Sequence, residues 1–392
     1  MNLQERAVTT FVERFGHAPE VVVKAPGRVN LLGAHSDYNE GLVLPAAIDR
    51  AAWVAAARNN SDVVRVWALD FAQEGTFALD EVAALRGVAV EPTWLRYPMG
   101  MAWAVQEAGE RPFGMDVVLT SDVPVGAGVS SSAAVEMAFL LAWEQIAGFT
   151  LPNLTRAQLG QRAENEYLNV GSGMMDQFAS VAGRANHLVL LDCRTLDHEL
   201  VPLPEKTAVL LVDSGVRRQL VVVDYNSRPE QCREAVALLQ PHLPGIQSLR
   251  DVSWADFENY SHHLPMVLRR RVRHAIGERE RVLAGAAALR QGKVAAFGQL
   301  IKASQLSSRD NYEVSIPELD LLAAVAWRQP GCYGSRFGGG GFGGFMQVLV
   351  DLTAVDPVAQ AMSAEFETAF GRTPRTFVCQ IADGASVVSG NR

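Results

Sequence analysis

The chain carries, between a strand and a helix, the stretch Pro124-Val125-Gly126-Ala127-Gly128-Val129-Ser130-Ser131-Ser132-Ala133-Ala134. Its glycines let the backbone approach a bound group closely, and the free amides of a helix N-terminus stabilise anions. The serine hydroxyls add donors and a magnesium ligand. This is not a Walker A loop, because the Gly-Lys-Ser/Thr ending is missing. The alternative is a serine N-cap on a core helix, but the length of the glycine and serine run favours an anion cradle.

Hydrophobic patterning on both sides of this stretch predicts a mixed architecture. Valine-rich runs predict strands at 20–25, 42–57, 63–69, 115–121, 188–192, 208–212, 345–351 and 376–381. Helical periodicity predicts helices at 131–146, 155–168, 227–239, 266–290, 294–308, 318–327 and 358–370. The order of these elements favours an α+β sandwich. We place a domain boundary near 195–205, which gives domains 1–200 and 201–392.

Composition restricts the class of protein. A chain of 392 residues usually forms two or three domains, and 48% hydrophobic residues can supply a sizeable core. The net charge of −8 argues against a nucleic-acid binder. We find no signal peptide and no apolar run of membrane-spanning length. The scattered cysteines favour free thiols in a reducing compartment, hence a cytoplasmic location, over a disulfide framework or a zinc site; they are Cys193, Cys232, Cys332 and Cys379.

Residues 25–41 read APGRVNLLGAHSDYNEG and follow a predicted strand. Arginine, histidine, aspartate and tyrosine are interrupted here by glycines. Fixed polar groups on a tight turn suit a polyhydroxylated ligand, since each hydroxyl needs a partner when it is desolvated. An ordinary surface loop explains the same residue types.

A second glycine-rich segment, residues 333–344, reads YGSRFGGGGFGG. So many glycines would cost several kcal/mol of chain entropy, roughly, if they served only a turn, so we expect close approach to another backbone or a ligand. A GxGxxG pattern is present at Gly339, Gly341 and Gly344, but it arises by default in a glycine run. Its position near the C-terminus argues against a dinucleotide-binding fold and an oxidoreductase.

Between these segments, residues 171–178 read GSGMMDQF, and Glu164 precedes them. Asp176 is a candidate general base whose pKa burial would tune. A helix N-cap explains Asp176 as well, and Glu164 could lie on a solvated helix face.

Taken together and in this order, the motifs resemble those of the galactokinase family of the GHMP kinases. The resemblance extends over residues of about 20 to 385 and includes further segments at 192–196, 225–232 and 309–315. It implies an N-terminal domain like the second domain of ribosomal protein S5 and a ferredoxin-like C-terminal domain. The active site would lie between them, and the substrates would be a small sugar and MgATP. We expect a monomer or a weak homo-oligomer.

The resemblance also implies roles for individual residues. Asp176 corresponds to the catalytic aspartate and Arg28 to its charged partner, while Ser132 and Glu164 correspond to magnesium ligands. The segment from Pro124 to Ala133 corresponds to the cradle for the ATP phosphates. Sugar contacts correspond to Arg28, Ala34, His35, Asp37, Gly173, Asp176 and Tyr225. Because all four reactive positions and the serine-rich loop are intact, we expect an enzyme and not a sugar sensor without turnover.

Position 34 departs from the family. Galactokinases have Gly-Glu-His-Thr-Asp-Tyr here, whereas this chain has Ala34 and Ser36. The family's glutamate contacts the C6 end of galactose, and losing one charged hydrogen bond costs about 1.5–3 kcal/mol. Three substrates therefore stay open: D-galactose, galacturonate and L-arabinose, which lacks the C6 group. Phe337-Gly338 also replaces Met-Thr, and Gln305 replaces a histidine.

Overall fold

A computed structural model describes residues 1–126, 128–216 and 222–390, with the backbone alone for 222–226. The expected phosphate-loop residue Ala127 and the side chain of Tyr225 therefore lie outside the described residues. In chain order the elements are α1 (Leu3–Phe15), β1 (Val21–Asn30), β2 (Leu42–Val43), β3 (Pro45–Arg58), β4 (Val63–Ala68), β5 (Gln73–Ala78), α2 (Arg96–Glu107), β6 (Met115–Ser121), α3 (Ser131–Ala147), α4 (Asn153–Arg162), α5 (Met175–Ala182), β7 (His187–Asp192), β8 (His198–Pro202), β9 (Thr207–Asp213), α6 (Val222–Leu239), α7 (Trp254–Tyr260), α8 (Met266–Arg290), α9 (Val294–Ser307), α10 (Pro317–Arg328), β10 (Cys332–Phe337), β11 (Phe345–Asp351), α11 (Val355–Phe370), β12 (Thr376–Cys379) and β13 (Ser386–Gly390).

Strands β1, β3, β4, β5 and β6 of the first half form a sheet with the final strand β13, in the order β13-β1-β3-β6-β4-β5. Neighbouring strands are antiparallel except β4 and β6, which run parallel. Helix α3 packs on β1 and β3 and is apolar on all sides, so its side chains are buried nearly all round. A small sheet, β2-β7-β8, lies beside this layer.

The second half forms a four-stranded antiparallel sheet in the order β10-β11-β9-β12. Its strands alternate between two hydrophobic cores, as the period of two requires. In β9, Val209 and Leu211 face the core of the first half, whereas Leu210 and Val212 face the core under α10 and α11. One apolar core therefore joins the two halves.

The α+β prediction is confirmed, and three local predictions need correction. Strand β1 continues to Asn30, so Arg28 lies on a strand and not on a turn. The predicted strand 42–57 is split at Leu44, because β2 leaves the large sheet to pair with β7. The predicted helix 155–168 is α4, which ends at Arg162 and continues as a π-helical turn, Ala163–Tyr167.

Sequence patterns missed several elements, including the well-buried helix α2 and the weakly buried helix α1. Helix α1 buries only Ala7 and Phe11 among its residues, so its apolar stripe is narrow. The domain boundary near residue 200 stays a prediction, and the final strand crosses it by pairing with β1. In the described ranges no helix is both long and apolar enough to cross a membrane. All four cysteines are free.

Candidate active site

Arg28 and Asp176 form a bidentate ion pair at the centre of the site. Arg28 Nε donates to Asp176 Oδ1 at 2.7 Å, and Nη2 donates to Oδ2 at 2.6 Å. The guanidinium is buried, whereas the Asp176 carboxylate is 24% exposed. The pair joins β1 to α5, which is also held by a hydrogen bond from Ser180 Oγ to Pro26 O at 2.7 Å. Asp176 lies in the first turn of α5 behind Met174, so it is not an N-cap residue.

The phosphate-loop segment is attached to the same arginine. Arg28 Nη1 donates to Gly128 O at 2.6 Å, and the Arg28 amide donates to Val129 O at 2.9 Å. Gly27 allows this contact, because a Cβ there would lie 2.6 Å from Val129 O. Gly128 has a φ of 78°, which favours glycine. The loop is thus fixed against β1 before α3 begins.

Among the described residues, no side chain caps the amides at the N-terminus of α3. Ser130 precedes the helix with a φ of 57° and makes no side-chain cap. Its hydroxyl donates instead to Asp176 Oδ2. The first-turn amides of α3 are therefore available to an anion, as the sequence predicts for this segment. The simple N-cap alternative is wrong for Ser130.

Ser132 and Glu164 come together as the magnesium prediction requires. Ser132 Oγ donates to Glu164 Oε1 at 3.1 Å, and Ser172 Oγ donates to Oε2. Glu164 is buried in the π-helical turn and not on a solvated face. Burial, followed by the charge of Asp176, raises its pKa above the usual value against the hydrogen bonds it accepts. A buried carboxylate beside a hydroxyl is an oxygen donor set that suits Mg²⁺, so these residues fit the ion.

Two further residues behind the site escaped sequence reasoning. Glu136 lies one turn after Ser132 on α3, is fully buried, and accepts a hydrogen bond from Gln177 Nε2 at 3.1 Å. Burial, with the nearby Glu164, raises its pKa well above the usual value. The i, i+4 spacing from Ser132 was the available signal. Glu136 therefore lies beneath the expected metal position as a carboxyl group that favours its neutral form.

Of the predicted sugar residues, Asp37 lies near the Arg28–Asp176 pair. Gly173 permits close contact with Asp37, because a Cβ on Gly173 would lie 2.4 Å from Asp37 Oδ2. Burial and the charge of Asp176 raise the pKa of Asp37 to about 6, with Arg28 opposing. His35 is buried, its Nδ1 is 2.8 Å from Tyr38 Oη, and burial lowers its pKa well below the usual value. Neutral His35 can then both donate and accept hydrogen bonds.

Ala34 is held by its backbone from the second half of the chain. Its amide donates to Glu278 Oε2 at 2.9 Å, and its carbonyl accepts from His274 Nε2 at 3.0 Å. Glu278 is fully buried and accepts further hydrogen bonds from Gly33, Arg281 and Ser304. This carboxylate is therefore sealed by protein donors and does not replace the family's glutamate as a sugar ligand.

The glycines of the second glycine-rich segment at positions 338–344 connect the antiparallel strands β10 and β11. This agrees with the sequence argument against a dinucleotide-binding fold. A Cβ on Gly341 would lie 2.3 Å from Val314 O, and one on Gly343 would lie 2.5 Å from Val216 O. Close approach to other backbones therefore explains these glycines. Gln305 Oε1 accepts from the Phe337 amide at 3.0 Å, which ties the two departures from the family pattern together.

Three models of known protein families match successive parts of the chain. The galactose-binding signature of galactokinases matches residues 9–58. The N-terminal domain of GHMP kinases matches residues 96–184, and their C-terminal domain matches residues 286–368. The expected two-domain GHMP kinase fold is therefore confirmed.

Individual relatives match over nearly the whole length. The chain is 42% identical over 381 residues to a galactokinase of Roseiflexus sp. (strain RS-1), covering 97% of this chain and 96% of that protein. A galactokinase of Chloroflexus aggregans is 42% identical over 378 residues, covering 96% of each. The structure of Lactococcus lactis galactokinase with galactose has a TM-score of 0.91 at 32% identity, covering 97% of this chain and 98% of that one. A mevalonate kinase, at 16% identity and a TM-score of 0.64 over 93% and 99% of the two chains, shares the fold.

The buried pair predicts a measurable stability difference. Replacing Arg28 by lysine removes the planar fork and leaves Gly128 O and one Asp176 oxygen without their donors. We expect the free energy of unfolding to fall by about 1–3 kcal/mol. Arg65→Lys is the matched control, since Arg65 also binds Asp116 with two hydrogen bonds but is 48% exposed. Its expected loss is about 0–1 kcal/mol in the same denaturant titration. Equal losses would contradict a central role for the Arg28 pair.

Proposed function

The chain belongs to the galactokinase family of the GHMP kinases, and from that premise we propose that it transfers the γ-phosphoryl group of ATP to the anomeric hydroxyl of D-galactose. The product would be galactose 1-phosphate. One observation carries the proposal: a partly exposed Asp176, ion-paired to Arg28, lies beside an uncapped helix N-terminus. This arrangement combines a proton acceptor with an anion cradle.

Asp176 would act on the nucleophile. Its Oδ2 accepts from both Arg28 and Ser130, whereas Oδ1 accepts from Arg28 alone, so Oδ1 keeps the spare acceptor position. The anomeric oxygen would bond to the γ-phosphorus as the bond from that phosphorus to the β-bridging oxygen breaks. The hydroxyl proton passes to Asp176 Oδ1, and ADP leaves.

The phosphates would lie against the N-terminus of α3. Its first-turn amides and the loop Gly126–Ser132 stabilise their negative charge, and the positive end of the helix dipole adds to this. Ser132 and Glu164 would hold Mg²⁺, which neutralises charge on the β- and γ-phosphates. The 3.1 Å separation of Ser132 Oγ and Glu164 Oε1 supports a shared cation at this position.

Sugar recognition would use Asp37 and His35 on the ring hydroxyls, with Tyr225 as a further predicted contact. Galactose is favoured because the galactose-binding signature covers residues 9–58 and therefore includes position 34. The free cysteines support a reducing, cytoplasmic location. A monomer or weak homo-oligomer stays a prediction.

A substrate panel tests the proposal. We expect sugar-dependent ADP release from MgATP with galactose above that with galacturonate or L-arabinose. Absence of ADP release with every sugar would refute the kinase assignment, and a preference for either alternative sugar would refute galactose. Ala34→Glu should improve galactose use and abolish any galacturonate use, because the new carboxylate would pair with the C6 hydroxyl and repel a uronate. Unchanged ratios would show that residue 34 does not face C6.

Asp176→Asn separates chemistry from binding. The amide cannot accept the hydroxyl proton, so we expect turnover to fall by about 10²- to 10⁴-fold. Galactose affinity, measured by calorimetry, should change little, because the side chain keeps its shape. Asp122→Asn is the control, since Asp122 also pairs with an arginine, Arg50, at 3.0 Å. Near-normal turnover in Asp176→Asn would refute Asp176 as the base.

The raised pKa of Asp37 predicts pH-dependent sugar binding. Above about pH 6 the carboxylate is ionised and accepts hydrogen bonds, and below about pH 6 it is protonated. Galactose affinity should therefore fall as the pH drops through about 6, by up to about tenfold per pH unit. Calorimetry from pH 8 to pH 5 measures this. Asp49→Asn is the control, because the pKa of Asp49 is also raised but Asp49 lies outside residues 25–41, which we call the sugar segment. A flat wild-type profile would contradict the prediction.

A further inference from the structure

The sugar segment is held from the second half of the chain by a buried polar cluster. The cluster consists of His274, Glu278 and Arg281 on α8, Ser304 on α9 and Arg336 on β10. Of these, His274, Glu278, Ser304 and Arg336 are each at most 2% exposed. Together they contact the backbone of residues 30–34, just before the predicted sugar ligands His35 and Asp37.

In the part of the chain that the structure describes, the hydrogen bonds from the cluster to this segment end on main-chain atoms. Glu278 Oε2 accepts from the amides of Gly33 and Ala34, each at 2.9 Å. His274 Nε2 donates to Ala34 O at 3.0 Å, and Arg336 Nη1 donates to Asn30 O at 3.1 Å. The cluster therefore fixes the backbone conformation whatever the side chain at position 34.

The backbone needs this support because its conformation is unusual. Gly33 has a φ of 87° and His35 a φ of 56°, so two left-handed residues flank Ala34. A non-glycine residue in this region is strained and persists only where its surroundings determine its conformation. The Glu278 carboxylate supplies that constraint, since the consecutive amides of Gly33 and Ala34 point at one oxygen atom.

The charges of the cluster are compatible with this role. Burial would raise the pKa of Glu278, but Arg281, His274 and Arg336 outweigh it and lower the pKa to about 2. Burial lowers the pKa of His274 to about 4, so its ring is neutral. The neutral ring donates from Nε2 to Ala34 O and accepts from Ser307 Oγ at Nδ1, 3.0 Å away.

The cluster also reaches His35 through two tilted ring contacts made by Tyr312. The Tyr312 ring lies 4.3 Å from the His274 ring and 4.8 Å from the His35 ring, centre to centre. Tyr312 Oη is also 2.9 Å from Tyr38 Oη, which contacts His35 Nδ1. His35 is thus oriented by the same part of the chain that holds Ala34.

We propose that Glu278 is a positioning residue for sugar binding, acting through the Gly33 and Ala34 amides with His274 as its partner on the next backbone group. This rests on the proposed function, because it assigns the segment to the sugar. Glu278 is no catalytic residue, since its carboxylate is sealed from the cleft. Its loss disorders the sugar site and leaves the phosphate loop intact, because none of its hydrogen bonds reaches that loop.

Glu278→Gln tests this role. The amide places an N–H group against Arg281 or against the segment amides, so one side loses its acceptor. We expect the KM for galactose to rise about tenfold or more, as for the loss of a charged hydrogen bond. The KM for ATP should stay within about twofold of the wild-type value, which is a smaller change than the loss of one hydrogen bond to ATP would cause. Glu280→Gln is the control, since Glu280 is exposed on the same helix.

Glu278→Asp covers the case in which the glutamine variant fails to fold. It keeps the charge but withdraws the carboxylate by one methylene, so the galactose KM should rise about threefold or more. Calorimetric galactose affinity should fall in parallel in each folded variant. An unchanged galactose KM, or equal rises in both KM values, would overturn the proposal. Wild-type turnover on galactose is measured first, so that a failure of the kinase assignment is recognised separately. In that case calorimetry still measures how each Glu278 variant changes galactose affinity.

Discussion

The geometry of the site depends on the guanidinium group of Arg28. This one side chain binds Asp176 through two hydrogen bonds and the Gly128 carbonyl through a third. A planar fork with fixed donors can hold a carboxylate and a backbone oxygen at once, which an ammonium group cannot do with the same geometry. Because Arg28 lies on strand β1, the proposed proton acceptor Asp176 and the proposed phosphate loop are both fixed to the same strand. Burial of the guanidinium makes the arrangement costly to break.

The second half of the chain supports the site from the other side. Helix α8 supplies buried charges that no apolar core could accommodate without partners, and its Glu278 and His274 side chains hydrogen-bond to backbone groups of the sugar segment. The first half thus carries the proposed reacting groups, while the second half fixes the backbone of the segment that contains the proposed sugar ligands. A continuous apolar core between the halves keeps these two contributions in register.

Sequence patterns predicted the candidate site more completely than they predicted the fold. Glycine and serine runs, with isolated charges between them, are local signals, so the resemblance selected Arg28, Asp176, Ser132 and Glu164 as candidates by position. In the structure, Arg28 lies within hydrogen-bond distance of Asp176, and Ser132 within hydrogen-bond distance of Glu164. Helix α1 and strand β13 were missed because few of their side chains are buried and their patterns are weak. Glu278 and His274 were missed because a buried polar pair on a charged helix looks like a solvated face until its tertiary partners are known, although their i, i+4 spacing was visible.

The pairing of β13 with β1 has a consequence for biosynthesis. Strand β1 leaves the ribosome early, whereas the strand that completes its edge leaves after every other element described above. During translation the edge of β1 next to the Arg28 strand segment would expose unpaired backbone groups, which are a template for wrong pairing with other chains. The nascent first half therefore resembles an open sheet awaiting its last strand. The sheet is completed only after β13 has been synthesised, and until then the unpaired edge of β1 is exposed to pairing with other chains.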